Sequence, residues 1–474
     1  MKFFIALLLA PLSSTAMTLD WTGGYRVEWT QLDRPSLAVP SASIANSAKQ
    51  YGTNYLFLNP QIIATDGLTI RGRLEVFGGQ YPYDNSQLGQ LWGLGLDKSG
   101  TPADTSRTNA TSRGHEFTNV QVSQLYMIMQ QEYGSLLVGR APLHFGLGMT
   151  HNAGSGAFDH WSNTQDLVGY KFIVDNTYFM PIFSRHYQNG YTLDSVIQSE
   201  IYQLVYENAS AGNLLGVMIE KRRAGGSVND VAVGTNGFGG TGATRNGGMN
   251  LQYTNFLLGR DWEEFHFKFE GGQAVGDLGV QDSGLNNVRM NGNGMLVDMS
   301  YEPKGSKWTF GGKFGMASGD NPTTSDFEGY HFDPNINIGL MLFSHRLGNN
   351  SGDFMTTAPY RNMNLTNATS ADDESVGNAT FLAPQVSYAW NDKLDLKGTF
   401  VYATAMANPG NFSDFKKDLG MEFDFELVYK PREKFQWKNQ FGILMPGAAF
   451  KGGSTNDWET GTCMGFNSSA AITF

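Results

Sequence analysis

A two-residue alternation of side-chain character is the feature that most limits how this chain can fold. Within the segment 418–429, an apolar or aromatic side chain alternates with glycine or an acidic side chain from Leu419 to Leu427, in the order LGMEFDFEL. Successive side chains of a β-strand point to opposite faces, so this period predicts a strand with one apolar face and one charged face. Residues 462–474 repeat the pattern, with Phe466, Ile472 and Phe474 in the apolar set. The chain is therefore predicted to be all-β and built from amphipathic strands.

Eighteen such segments can be placed along the chain. The predicted strands cover residues 21–32, 54–65, 68–77, 117–131, 135–140, 168–174, 177–185, 196–207, 214–222, 249–258, 263–275, 291–302, 307–317, 382–390, 394–405, 418–429, 435–444 and 462–474. The alternation is weakest in 54–65 and in the pair 168–174 and 177–185. A count of 16 strands is therefore the alternative to 18.

The connections between these segments are alternately long and short. A soluble two-layer sandwich has no reason to vary its loops in this way, whereas up-and-down barrels in the bacterial outer membrane carry long external loops and short periplasmic turns. A closed barrel also satisfies every backbone N–H and C=O inside a bilayer. The sequence thus predicts a transmembrane antiparallel up-and-down β-barrel of 18 strands, with long external loops and short periplasmic turns.

The first residues and the composition limit the remaining possibilities. Residues 1–16, MKFFIALLLAPLSSTA, have the positive start, short apolar run and small-residue end of a secretory signal peptide, which leaves 17–474 as a single barrel domain. The one cysteine, Cys463, excludes an intrachain disulfide, and a formal charge of −11 disfavours binding to nucleic acid.

The charged faces of the predicted strands should line the inside of the barrel. Charged and histidine side chains are predicted to line the pore at Arg26, Glu28, Arg71, Arg73, Glu75, His266, Lys268, Glu270, Lys313, Asp395, Lys397, Glu422, Asp424, Glu426 and Lys438. A barrel of 16–18 strands leaves an aqueous channel. Residues 141–166 and 318–381 are the loops expected to fold inwards and narrow it. The tryptophans near the short turns, at 21, 262, 308, 390 and 437, fit the aromatic girdle of a membrane interface.

Two stretches resemble the family of outer-membrane channels that includes the alginate export proteins. The first is GRAPLHFGLG at 139–148, followed by Trp161 and DLVGYKF, and the second is ASGDNPTTSDFEGYHFDP at 317–334. The resemblance implies an 18-stranded monomeric barrel whose long loops restrict the lumen. Alginate-exporting members are similar to one another in an arginine- and lysine-rich constriction. The balanced charges here depart from that pattern, so alginate is not the expected solute.

Other motifs in the sequence bear on metal binding and catalysis. Asp320, Asn321 and Asp326 offer hard oxygen ligands for a calcium ion, although solvated loop acids are the alternative interpretation. Three histidines in one loop, at 144, 151 and 160, lack the close or helix-phased spacing of a metal site. No nucleophile motif such as GxSxG, HExxH or CxxC occurs, so no enzyme is expected.

The resulting hypothesis is an outer-membrane channel for passive diffusion of small hydrophilic solutes. The alternative is a loop-occluded barrel with a structural or surface-adhesion role. The expected partners are outer-membrane lipid, lipopolysaccharide bound through divalent cations on the acidic loops, and the barrel-assembly machinery. Phe474, the last residue, is the expected membrane-insertion signal for that machinery. The sequence leaves the oligomeric state open.

Overall fold

A computed structural model describes most of the predicted barrel. It covers residues 18–37, 48–76, 90–93, 120–185, 197–224, 244–245, 248–281, 287–321, 323–345, 347–348, 375–408, 415–451 and 459–474. The predicted signal peptide at 1–16 and the first residues of the strand predicted at 117–131 lie outside these ranges.

Within the described ranges, eighteen strands form one closed antiparallel sheet. They are β1 Thr18–Leu32, β2 Lys49–Thr65, β3 Leu68–Val76, β4 Val120–Gln131, β5 Gly134–Pro142, β6 Thr164–Val174, β7 Thr177–Arg185, β8 Ile197–Asn208, β9 Asn213–Ala224, β10 Asn250–Asp261, β11 Phe265–Gln281, β12 Asn287–Tyr301, β13 Trp308–Ala317, β14 Ala379–Asn391, β15 Leu394–Ala405, β16 Asp418–Arg432, β17 Phe435–Pro446 and β18 Cys463–Thr473. Two further short strands, Gln90–Gly93 and Thr244–Arg245, pair with the ends of β2 and β11.

The first and last strands close the barrel. β1 pairs antiparallel with β18 from Gly24 opposite Thr473 to Leu32 opposite Gly465. Beyond this ladder, Gly23 and Phe474 exchange two backbone hydrogen bonds of 3.0 Å. The sheet therefore has no free edge along this seam, which is what a strand-built membrane span requires. In the described part of the chain, no helix is long and apolar enough to cross a bilayer.

The predicted strand number and order are confirmed, and the corrections concern strand ends. β2 begins at Lys49, five residues before the predicted start at 54, and β11 and β12 run into the predicted loop at 276–290. These extensions belong to the long-connection end of the barrel. There, water can reach both faces of a hairpin, so backbone pairing continues after the alternation has been lost.

The outer face of the barrel is apolar. Large side chains that are at least a third exposed recur around the wall, among them Phe183, Leu204, Phe256, Phe423, Phe425 and Phe441. The five tryptophans assigned to the girdle are 45–57% exposed and lie beside the short turns. A broad exposed apolar band with aromatic residues at its rim matches the hydrocarbon core and headgroup level of a bilayer. The chain is thus a transmembrane barrel of the outer-membrane type.

The inside of the barrel is drier than the sequence predicts. Tyr330, Phe332 and Phe343, which lie between β13 and β14 in the chain, are fully buried and pack with inward-facing wall residues such as Phe381 and Leu444. The described part of the loop predicted at 318–381 therefore folds inwards as expected, and its apolar side chains cover the wall in a sector where the sequence alone predicts water. Alternation predicts which face of a strand points inwards, but not which residues from a distant loop will cover it.

Candidate pore constriction

Two long connections fold into the lumen, as the sequence predicts. The first inner loop, residues 143–163, joins β5 to β6, and the second inner loop, residues 318–345, follows β13. Both are held by hydrogen bonds from the charged inner wall. Together these anchors define the passage that remains.

The β1 anchor is an arginine–glutamate pair on one strand. Arg26 and Glu28 lie two residues apart on the inner face, are buried, and form an ion pair of 2.8 Å. An Arg26 Nη1 donates to the carbonyls of Ala157 and Asp159 at 3.2 and 2.7 Å. Glu28 Oε2 lies 2.7 Å from Nε2 of His160 in the same loop. The pair therefore binds backbone and side chain of the first inner loop together.

The β3 anchor repeats this arrangement. Arg73 and Glu75 are buried and 3.1 Å apart, and both contact the Tyr55 hydroxyl, which accepts from Arg73 at 2.8 Å and donates to Glu75 at 2.9 Å. Arg73 also reaches the Gly154 carbonyl at 3.4 Å. Its guanidinium lies 4.5 Å from the ring centroid of Phe57, a cation–π distance. This network holds the centre of the first inner loop.

Glu270 on β11 binds the loop backbone directly. It is completely buried, and its Oε2 accepts the N–H groups of Leu147 and Met149 at 2.8 and 3.3 Å, while Asn255 donates to Oε1 at 2.9 Å. Gly146 lies so close that an added Cβ would be 2.7 Å from Glu270 Oε2, and its φ of 61° is in the left-handed region. Only glycine permits this approach without strain.

A second buried acid, Glu220 on β9, holds the same loop. The Ser199 hydroxyl donates to it at 2.5 Å, and His151 Nε2 of the first inner loop lies 3.2 Å from its other oxygen. Arg222, two residues along the strand, approaches the carboxylate at 3.3 Å. Because its anchors lie on β1, β3, β9 and β11, the first inner loop crosses the lumen rather than lining one side.

The second inner loop is anchored by the acidic face of β16. Glu422 is completely buried and accepts the Met341 and Leu342 N–H groups, both at 2.7 Å. Asp424 accepts the N–H of Leu340 at 3.0 Å. Glu422 and Asp424 therefore face inwards as predicted, but they lie under a loop and Glu422 is closed to water. The same correction applies to Glu270.

The two inner loops also bind each other. The Asn335 side chain accepts the N–H groups of His160 and Trp161 at 3.0 Å and donates to the Trp161 carbonyl at 2.8 Å. The Asp333 N–H donates to the Met149 carbonyl at 2.7 Å. The loops thus form one layer across the barrel.

A polar cavity remains between this layer and the wall of β1, β17 and β18. Its volume is about 230 Å³. Its lining combines charged, amide and aromatic side chains, among them Glu28, Asp159, His160, Trp161, Asn335, His345, Lys438 and Gln440. Lys438 Nζ lies 4.4 Å from the ring centroid of Phe158, which also lines the cavity. A second cavity of about 320 Å³ lies beside β1 to β4 and is lined by Arg71 and Arg73. Together these cavities are the candidate passage for a solute.

The remaining predicted pore-lining residues lie on the inner face nearer the short turns. Lys313 donates to the Asn337 carbonyl at 3.2 Å, Asp395 pairs with Lys430 at 2.8 Å, and Glu426 accepts from Gln440 at 2.9 Å. His266 lies 3.0 Å from Asp261, and Lys397 is cross-strand from Glu426. Lys268 is exposed. This half of the lumen contains both positive and negative side chains, in line with the balanced charges of the sequence.

The calcium candidates form an internally hydrogen-bonded turn. Asp320 accepts the Glu328 N–H at 3.1 Å, Asn321 accepts from Thr323, and the Asp326 carbonyl accepts from Thr324. Burial raises the pKa of Asp320 to about 6. Within the described ranges no three acidic, histidine or cysteine residues group as metal ligands. Calcium binding stays a prediction.

Several anchoring residues were not predicted from the sequence, namely Tyr55, Ser199, Glu220, Arg222, Asn255 and Asn335. One signal could have found Glu220 and Arg222: an acid and an arginine two residues apart on one strand, the spacing already seen at Arg26 with Glu28 and at Arg73 with Glu75. His151 and His160, weighed only as metal ligands, are loop anchors instead.

Comparison with solved structures supports the fold. The chain is similar to OccK9 (OpdG) of Pseudomonas aeruginosa, at 10% identity over 96% of this chain and 98% of that chain, with a TM-score of 0.52. It is similar to OccAB3 of Acinetobacter baumannii, at 10% identity, 96% and 100% coverage and a TM-score of 0.50. A BenF-like porin from Pseudomonas fluorescens matches at 9% identity, 96% and 98% coverage and a TM-score of 0.50. No protein-family model and no curated protein matches this chain.

At these identities the likeness establishes architecture. The molecule belongs to the architectural class of closed 18-stranded barrels found among outer-membrane porins. The strand number implied by the resemblance to the alginate-export family is confirmed.

Proposed function

We propose that this protein is an outer-membrane channel for the passive passage of small hydrophilic solutes. The observation that carries the proposal is the polar cavity left between the inner loops and the wall. A sealed barrel would be stabilised by filling this space with apolar side chains, whereas here charged and amide groups line it.

A selective channel needs a wide frame and a narrow polar passage. The barrel wall supplies the frame and the inner loops supply the passage. The 18-stranded cylinder gives a wide frame, and the loop layer leaves within it two cavities of about 230 and 320 Å³. Solutes must then be small, and they must exchange water for the hydrogen bonds of the lining. The name porin carried by the BenF-like neighbour agrees with this role.

The direct test is single-channel recording of the purified barrel in planar bilayers. We expect discrete open events and a finite conductance in simple salt. Liposomes that contain the protein should also swell in small sugars or amino acids and not in large oligosaccharides. Complete absence of open events at every voltage would overturn the proposal.

The lining of the cavity predicts how the ion selectivity should change when one charged side chain is removed. Lys438 lies at the passage, so Lys438→Gln should shift the reversal potential in a salt gradient towards cations by removing a positive charge from the constriction. Lys304→Gln is the matched control, since Lys304 is exposed in a short turn. Equal shifts in the two variants would show that Lys438 does not face the ion path.

One observation favours the second candidate, a loop-occluded barrel with a structural or surface-adhesion role. The second inner loop fills its sector of the lumen with buried aromatic side chains, including Tyr330 and Phe343. A barrel closed by such a plug would remain silent in bilayers. It should then conduct only in variants that release the loop.

A further inference from the structure

A row of polar side chains crosses the outer face of five neighbouring strands at the long-connection end. In the β-sheet register Arg140 on β5 is opposite Asp166 on β6, which is opposite Arg185 on β7. Arg185 is opposite Gln198 on β8, which is opposite Arg223 on β9. One step towards the membrane, Glu200 and Lys221 are also directly paired.

These side chains point to lipid, not to the lumen. Each lies an even number of residues from an exposed apolar residue of its own strand: Arg185 from Phe183, Glu200 from Leu204 and Lys221 from Leu215. Period-two alternation therefore puts them on the outer face. Their neighbours of opposite parity, Ser199 and Glu220, are buried inside.

The group carries a net positive charge. Four basic side chains, Arg140, Arg185, Lys221 and Arg223, accompany two acids, Asp166 and Glu200. Arg140 forms a bidentate pair with Asp166 at 2.7 and 2.9 Å, and Arg223 approaches Glu200 at 3.4 Å. The internal pairs neutralise two of the four cations in number, so the group has an excess of two positive charges.

The polar row borders a cavity with an apolar floor. Its volume is about 560 Å³, and its lining joins these charged residues to Val138, Val168 and Phe183. Val168 and Phe183 are 48% and 61% exposed on the lipid-facing surface. The site thus offers guanidinium and ammonium donors directly above a hydrocarbon-facing surface.

We propose that this surface binds a phosphorylated glycolipid of the outer leaflet, the lipid A part of lipopolysaccharide. Guanidinium groups match phosphate oxygens bidentately, while acyl chains of the same molecule lie along the valine and phenylalanine floor. The long-connection end is the external one, and that leaflet is the one in which this lipid resides. A soluble phosphate compound would make no use of the apolar floor.

The basic group binds phosphate without a bridging metal. The sequence predicts that lipopolysaccharide binds through divalent cations held by acidic loops. Direct contact with arginine and lysine predicts instead that binding persists in a chelator. The proposal requires only the orientation of the barrel in the membrane, so it does not depend on channel activity.

The test compares lipid A with its dephosphorylated form. Purified barrel in nanodiscs is titrated with each lipid in the presence of EDTA, and bound lipid is counted by native mass spectrometry. The test variant is Arg185→Gln/Lys221→Gln/Arg223→Gln, which leaves the Arg140–Asp166 pair intact. We expect the wild type to prefer the phosphorylated lipid by at least tenfold and the triple variant to lose that preference.

The control variant is Arg260→Gln, an outer-face arginine at the opposite end of the barrel, where it lies 5.6 Å from the Trp262 ring centroid. It should bind lipid A as the wild type does. Unchanged heat-modifiable gel migration reports that each variant is folded. Equal affinity of wild type and triple variant, no preference for the phosphorylated lipid, or complete competition by inorganic phosphate would each overturn the proposal.

Discussion

At the residue scale, buried carboxylates act here as acceptors for loop backbone. Glu270, Glu422 and Asp424 together receive five N–H groups from the inner loops. A buried charge is costly unless hydrogen bonds replace its water, and backbone N–H groups of an infolded loop carry the same requirement. The carboxylates accept hydrogen bonds from the loop N–H groups, so neither partner is buried without a hydrogen bond. This explains why acidic residues tolerate such burial.

Removing one acceptor should release the second inner loop. Glu422→Ala leaves the N–H groups of Met341 and Leu342 without their carboxylate, at about 1–3 kcal/mol for each unsatisfied group. We expect larger and noisier single-channel conductance and a lower thermal midpoint. Glu426→Ala is the control, because Glu426 is on the same face and accepts its hydrogen bond from the Gln440 side chain of the neighbouring strand. Identical traces for the two variants would contradict the anchoring role.

At the scale of elements, the two inner loops meet near two acidic residues, Asp159 of the first loop and Asp333 of the second. Asp333 accepts the Asn335 N–H at 2.9 Å. Burial raises its pKa to about 7, its hydrogen bond with Asn335 opposes this, and nearby Asp159 raises it further. The loop layer therefore contains a group that changes charge near neutral pH.

The sign of the pH effect follows from linkage. The folded-state pKa lies above the unfolded value of 3.8, so the folded loop binds more protons. The contribution of Asp333 to stability is complete below about pH 4 and is lost as the pH rises through about 7. The loop contact should therefore weaken at alkaline pH, which open-channel current noise can follow.

Asp333→Asn keeps a side-chain oxygen as acceptor and removes the charge. Between pH 5 and 8, the current noise and the thermal midpoint of the variant should change less than those of the wild type. At pH 8 the free energies of unfolding of the two proteins should differ through this effect by roughly 1 kcal/mol or more. Asp66→Asn, in the exposed β2–β3 turn, is the matched control and should leave the wild-type profile unchanged. A wild-type profile in Asp333→Asn would refute the assignment.

At the scale of the whole molecule, the barrel is apolar outside and charged within. The depth of a lipid-facing residue in the bilayer therefore sets how much a charged substitution destabilises the barrel. Phe425 is 50% exposed in the middle of β16, and Tyr429 is 39% exposed close to its short turn. Both face lipid. An arginine should cost about 2–4 kcal/mol at the midplane and about 0–1 kcal/mol near the interface.

Phe425→Arg should therefore destabilise the barrel much more than Tyr429→Arg. Urea titration of the protein folded into phospholipid vesicles measures both values under the same conditions. Similar losses in the two variants would mean that β16 does not cross the bilayer with the depth assigned here.

The last residue, Phe474, takes part in closing the barrel. Phe474 is 48% exposed and its backbone exchanges hydrogen bonds with Gly23. Deleting Phe474 should lower the yield of heat-modifiable, membrane-inserted barrel, because the seam loses two bonds and the predicted insertion signal is removed. Phe474→Tyr, which keeps an aromatic end, should insert normally. Normal insertion of the deletion would count against Phe474 as the signal.

From the sequence alone it was possible to predict 18 strands, with 16 as the alternative, the order of long and short connections, and the faces of the clearly alternating strands. These follow from local rules, since a period of two assigns faces within a strand and turn length joins neighbouring strands. Even the tryptophan girdle could be predicted, because residues such as Trp308 and Trp390 directly adjoin short turns.

Which of the inward-pointing residues face water depends on the three-dimensional arrangement of the chain. Glu422 and Glu426 are four residues apart in one acidic run and are indistinguishable by pattern, yet one is completely buried under the second inner loop and the other is not. The residues that cover Glu422 are 80 and 81 positions away in the chain. Such contacts depend on where a long loop lies in three dimensions, and no periodicity within a strand carries that information.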